Sequence, residues 1–162
     1  MGITQFDEML LDLAYQTFAL KTAYFDRLGQ PQWSEAGIEN WVQVELGMAL
    51  MIRDIPVLIK GKVGRHCDLI IGETDKFKGV EVELGASTKG SISSFKERFK
   101  RHPNTELYLF VSKTDDSLIN KLNSYFSKQN YVEKHRMLNA EWMVMIVKRL
   151  RKDMGTIDRN TS

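Results

Sequence analysis

The chain has 162 residues, 43% of them hydrophobic, with three prolines, a single cysteine (Cys67) and a formal net charge of +2. These features suit one ordered globular domain. They exclude a disulfide-stapled scaffold, a zinc site built on several thiolates and a chain too polar to fold. No apolar run approaches the ~20 residues of a bilayer span, and MGITQFDEML lacks the basic start and apolar centre of a signal peptide, so a cytoplasmic protein without membrane contact is expected.

Residues 5–28 predict one helix. Thr4 can cap it with Asp7 three residues later, and Leu10, Leu13, Ala14, Phe18 and Ala19 form an apolar stripe. A second helix is predicted from Ser34 to about Ile52. PVLIKGK, CDLIIG and KGVEVELG, rich in β-branched residues and separated by glycine and charge, then predict three successive strands. Residues 91–102 predict a helix with Ile92, Phe95 and Phe99 on one face, stopped by Pro103. ELYLFVS predicts a fourth strand, and the segment after Thr114 a helix with Leu118, Leu122, Tyr125 and Phe126 inward. EWMVMIVKRLRK suits a buried strand or a buried helix. Asn139 before it and the basic residues at its end favour a helix. The expected fold is therefore α/β, a mixed central sheet of about four strands flanked by helices. One domain over residues 1–155 is followed by a loose tail, 156–162.

The acidic residues raise the functional question. In VEVELG, Glu81 and Glu83 alternate with valines, which puts two carboxylates about 7 Å apart on one strand face. Asp68 opens the preceding strand. A lone aspartate there reads as a turn residue or an edge charge, but an acidic pair follows on the neighbouring strand. Glu45 lies among Val42, Val44, Leu46, Met48 and Ala49, where an unpaired carboxylate is expensive to bury. Clustered carboxylates repel unless a cation neutralises them, and a hard divalent ion does so with oxygen ligands.

A helix with Glu45, a strand, a strand led by Asp68, a strand with Glu81-Val82-Glu83, a helix and a strand, over residues 35–112, resemble the αβββαβ core of the PD-(D/E)xK nuclease superfamily, the restriction-endonuclease-like fold. The resemblance implies that Asp68 and Glu81 bind Mg²⁺ or Mn²⁺, that Glu45 is a further ligand and that the Val82 carbonyl contributes. It implies a DNA endonuclease, RNA not being excluded, with a homodimer cutting two strands. The first and last elements are additions to the core. The usual motif ends in lysine, and this chain has Glu83, which can act as general base or hold a second ion. Lys89 or Lys62 can supply the missing positive charge.

Lys96, Arg98, Lys100 and Arg101 crowd one short helix, and Lys60, Lys62 and Arg65 lie on or after the first strand, with Lys148, Arg149, Arg151 and Lys152 at the end of the last element. They suit phosphate contacts, or equally a solvated face. GASTKGS lacks the Walker pattern, and His66, His102 and His135 stand at no metal-ligand spacing. Trp33, Trp41, Trp142, Met143 and Met145 read as core, and Cys67 as a small buried hydrophobe. Two alternatives stand beside the enzyme. One is a nuclease-like fold without chemistry that binds nucleic acid or protein. The other is an unrelated α/β protein whose acids are surface charges.

Overall fold

A computed structural model describes residues 2–28, 35–59, 62–63, 65–66, 68–72, 80–87, 92–101, 105, 107–113, 116–128 and 130–150. The chain runs α1 (Gln5–Phe18), α2 (Thr22–Leu28), α3 (Glu35–Ile52), β1 (Val57–Ile59), β2 (Lys62–Val63), β3 (Arg65–His66), β4 (Leu69–Ile71), β5 (Val80–Ser87), α4 (Ile92–Arg101), β6 (Leu107–Lys113), α5 (Asp116–Ser127), β7 (Tyr131–Met137) and β8 (Trp142–Arg149). It is a mixed α/β protein. Among the described helices none is long and apolar enough to cross a membrane.

Six strands form one sheet in the order β1-β4-β5-β6-β8-β7, and β2 and β3 form a separate hairpin. β1, β4 and β5 make an antiparallel meander, with Ile59 opposite Leu69 and Leu69 opposite Val82. β5 and β6 run parallel, which demands a crossover, and α4 lies in that connection. β8 and β7 then add antiparallel pairs.

Three expectations need correction. The helix predicted over 5–28 is two helices. The Thr4–Asp7 capping box starts α1 as expected, but the chain turns at Ala19 and Leu20, and Lys21 N–H donates to the Phe18 carbonyl. The segment PVLIKGK is not one strand, because β1 stops at Ile59 and Lys62 belongs to the hairpin. The last element is a strand, so the sheet has six strands instead of about four and α5 is the last described helix. Asn139 does cap, but it caps a turn: its Oδ1 accepts from the N–H groups of Glu141 and Trp142, each at 2.8 Å, and joins β7 to β8.

β8 lacks alternation because both of its faces are covered. Trp142, Val144 and Ile146 join the core under α1 and α3, with Leu69, Ile71, Val82, Leu107 and Leu109. Met143, Met145 and Val147 join the core under α5, with Tyr108, Phe110, Leu118 and Leu122. Trp142 is fully buried, stacks on Phe25 of α2 at 4.8 Å and donates its indole N–H to Asp26 at 3.2 Å. Trp41 packs its ring on Phe18 and Phe25, as its expected core role requires.

Charge holds α1 over the far end of the sheet. Asp7 is buried and accepts from Lys148 of β8 at 2.8 Å while its carboxylate also receives the Thr4 N–H. Glu8 pairs with Lys134 and Asp12 with Arg136, one helical turn matched to two strand residues. At the other end α3 closes with Asp54 in the left-handed region at φ 55° and Ile55 N–H reaching back to the Leu50 carbonyl. Gly47 lets α3 approach β1: a Cβ there would fall against Ile59 Cδ1 and 2.8 Å from its Cγ1.

Two stability outcomes follow. Asp7→Ala removes a cap and strands the Lys148 ammonium, so urea unfolding should show a loss of about 2–4 kcal/mol. Gly47→Ala gains helix propensity of about 1 kcal/mol but overpacks by about 1–3 kcal/mol, a net loss. Adding Ile59→Val, which deletes Cδ1, should recover part of it in a double-mutant cycle.

Candidate functional site

Strand β5 is anchored by one buried residue. Val82 is fully buried in the α1/α3 core, with Leu69 opposite it on β4 and Leu107 beside it on β6. Positions 81 and 83 flank it along the strand. Glu81 is opposite Ile70 and Glu83 is beside Tyr108, a residue of the α5-side core. The side chains of Glu81 and Glu83 lie outside the described set.

Asp68 stands at a bend immediately before β4 and is half-buried. Its Oδ1 accepts a 3.0 Å hydrogen bond from Gln43 Nε2 of α3. Gln43 is 1% exposed, and its Oε1 has no hydrogen-bond partner among the described residues. The amide orientation follows from chemistry, since an ionised carboxylate only accepts. Gln43 is an α3 side chain that addresses Asp68, and it was not among the site residues expected from the sequence. The signal was available: Gln43 shares the inward stripe with Leu46 and Leu50, at helical spacing. A polar residue on a buried stripe is the informative one.

Glu45 is placed elsewhere. Two positions along a helix turn a side chain by about 200°, so Glu45 and Gln43 address different sides of α3. Glu45 pairs with Lys21 at the start of α2, and this ion pair supplies the cation its apolar surroundings require. Among the described residues no group of three or more His, Cys, Asp or Glu is arranged to hold a metal ion.

The basic candidates divide in the same way. α4 lies beside α5, with Lys96 Nζ 5.0 Å from the Tyr125 ring centroid. Lys96, Lys100 and Arg101 are exposed, and Arg101 pairs with Glu97 one turn earlier. Lys62 and Arg65 are on the two strands of the hairpin, in the pairs Lys62–His66 and Val63–Arg65. Lys89, Lys60, Cys67, Trp33, Arg151, Lys152 and the Arg98, Lys62 and Arg65 side chains fall outside the described set. Lys148 and Arg149 do not present their charge as phosphate contacts. Lys148 is held by Asp7, and Arg149 donates to Tyr108 Oη at 2.8 Å and lies over the Tyr108 and Tyr131 rings. Burial, and then the neighbouring Tyr131, push the Tyr125 phenol above its ordinary range, against the opposing pull of Arg149.

Gln43→Leu keeps the volume and removes both the donor to Asp68 and the unpartnered oxygen, whereas Gln43→Ala also opens a cavity. Urea unfolding should show Gln43→Ala less stable than the parent by about 2–3 kcal/mol and Gln43→Leu closer to it. No family model, curated protein or solved structure matches the chain.

Proposed function

We propose that the chain is a metal-dependent nuclease that hydrolyses phosphodiester bonds, with DNA as its substrate, in a reducing cytoplasmic compartment. One observation carries the reading. With the β2–β3 hairpin set aside, α3, the β1-β4-β5 meander, crossover α4 and parallel β6 supply an arrangement compatible with an αβββαβ core, which supports the reading. Within that order Asp68 leads β4, and the neighbouring strand carries Glu81-Val82-Glu83. The restriction-endonuclease-like core is part of this proposal.

The donor set suits a hard divalent ion such as Mg²⁺ or Mn²⁺, being all oxygen and anionic. Asp68 and Glu81 are assigned to hold it, with the Val82 carbonyl between the two glutamates. Such an ion supplies Lewis-acid polarisation of a phosphate and a lowered pKa for a bound water. Glu83 replaces the lysine of the usual motif and is assigned to accept the proton of the attacking water. Gln43, through its hydrogen bond, holds the Asp68 carboxylate in position. Lys96, Lys100 and Arg101 are assigned to the nucleic-acid backbone, with Arg98, Lys62 and Arg65.

A second reading has its own observation. Glu45, the helical glutamate of the resemblance, is neutralised by Lys21, and the lysine slot holds Glu83. Both favour a nuclease-like fold that binds nucleic acid without cutting it.

Plasmid nicking separates the two. The nuclease should cut supercoiled DNA with Mg²⁺ or Mn²⁺ and stop with chelator. Asp68→Ala and Glu81→Ala should each lower the rate by about a hundredfold or more while the circular dichroism spectrum is retained. The binding module should show no metal-dependent nicking, and salt-sensitive DNA retention that survives both substitutions and weakens with Lys96→Ala and Lys100→Ala.

A further inference from the structure

Helix α3 is set closely against the sheet at one point. Gly47 lies against Ile59 of β1, and Ile59 is paired with Leu69, the residue after Asp68. Gln43 stands one helical turn before Gly47, so it comes down on the same side of the helix, at the head of β4. Val42 before it and Leu46 after it are fully buried and fix its position. The contact with Asp68 uses only half of the amide. Nε2 donates to Asp68 Oδ1 at 3.0 Å, while Oε1, on a side chain 1% exposed, has no hydrogen-bond partner among the described residues. A buried carbonyl oxygen calls for a donor or a cation, and the carboxylate beside this one favours the cation.

We infer that Gln43 Oε1 is a ligand of the divalent ion, beside the Asp68 carboxylate, so that α3 contributes a neutral carbonyl in place of an acid. This assignment rests on the reading of Asp68 as an ion ligand. Three observations support it beyond the buried oxygen. Glu45, the acid that the resemblance put in this role, is paired with Lys21 on a different side of α3. Side-chain amide carbonyls are ordinary ligands of hard divalent ions, so Gln43 extends an all-oxygen donor set. Asp68 is half-buried, so the pair is approached from solvent on its carboxylate side. A neutral ligand holds an ion less tightly than an acid in the same place, which gives the assignment its signature.

Mn²⁺ titration of the full chain, with free ion counted by electron paramagnetic resonance, tests it. The parent should bind Mn²⁺, and Asp68→Ala should abolish binding. Gln43→Leu, which retains the volume of the side chain, should weaken binding at least about tenfold. Gln43→Glu restores the oxygen and adds a charge, so it should tighten binding severalfold. Without the ion Gln43→Glu should melt below the parent, two carboxylates then being adjacent, and Mn²⁺ should raise its melting temperature by more than the parent's. Circular dichroism should show both variants folded as the parent. An amide that only positions Asp68 through its N–H would make both substitutions weaken binding alike, since neither keeps that donor. That outcome overturns the inference and leaves the nuclease reading intact, as does Mn²⁺ binding that needs Asp68 and is indifferent to Gln43. A parent that binds no Mn²⁺ overturns both. An ion held through Asp68 and Gln43 by a chain that nicks no DNA supports the inference and moves the function to the binding module.

Discussion

The placement of the acidic residues depends on the two-residue period of β5. Val82 is locked between β4, β6 and the layer beneath α3, and that contact fixes the register of the strand that carries both glutamates. Shifting β5 by one residue would withdraw Val82 from that core and bring a charged position to its place, a costly exchange. The register that builds the core therefore also fixes the backbone partners of these glutamates: Ile70 of β4 opposite Glu81 and Tyr108 of β6 beside Glu83. At the head of β4, Asp68 is met by Gln43 of α3.

The elements with strong local punctuation were legible in the sequence. Thr4 and Asp7 announce the start of α1, and the short β-branched runs announce β4, β5 and β6. The errors have physical causes. The apolar stripe of α1 continues into Ala19, and no proline or glycine marks the turn at Ala19 and Leu20. YVEKHRM, the segment of β7, lacks apolar–polar alternation because charges occupy both sides of that strand: Lys134 and Arg136 meet α1, and Glu133 meets His135 at 3.3 Å on the other. β8, covered on both sides, has lost the period that distinguishes strand from helix. Glu45 is conspicuous in the sequence through its charge, although the geometry of a helix gives the inward position to Gln43.

The cations sort by what they touch. Lys148, Lys134 and Arg136 fasten the N-terminal helix to the last two strands, and Arg149 is engaged by tyrosines. These groups contribute to net charge without offering it to a ligand. Lys96, Lys100 and Arg101 of α4 differ in being exposed, with Lys96 over the Tyr125 ring. A charge total near neutrality thus conceals two populations, one that organises the fold and one directed to solvent.

The outermost strand has a consequence of its own. β7 ends the sheet with Glu133, Lys134, His135 and Arg136 in succession. A foreign backbone docking along that border would have to strip water from ionised groups on both sides of the ribbon. The chain is thereby guarded against open-ended, fibril-like growth from this border, a protection written into the same residues that anchor its first helix.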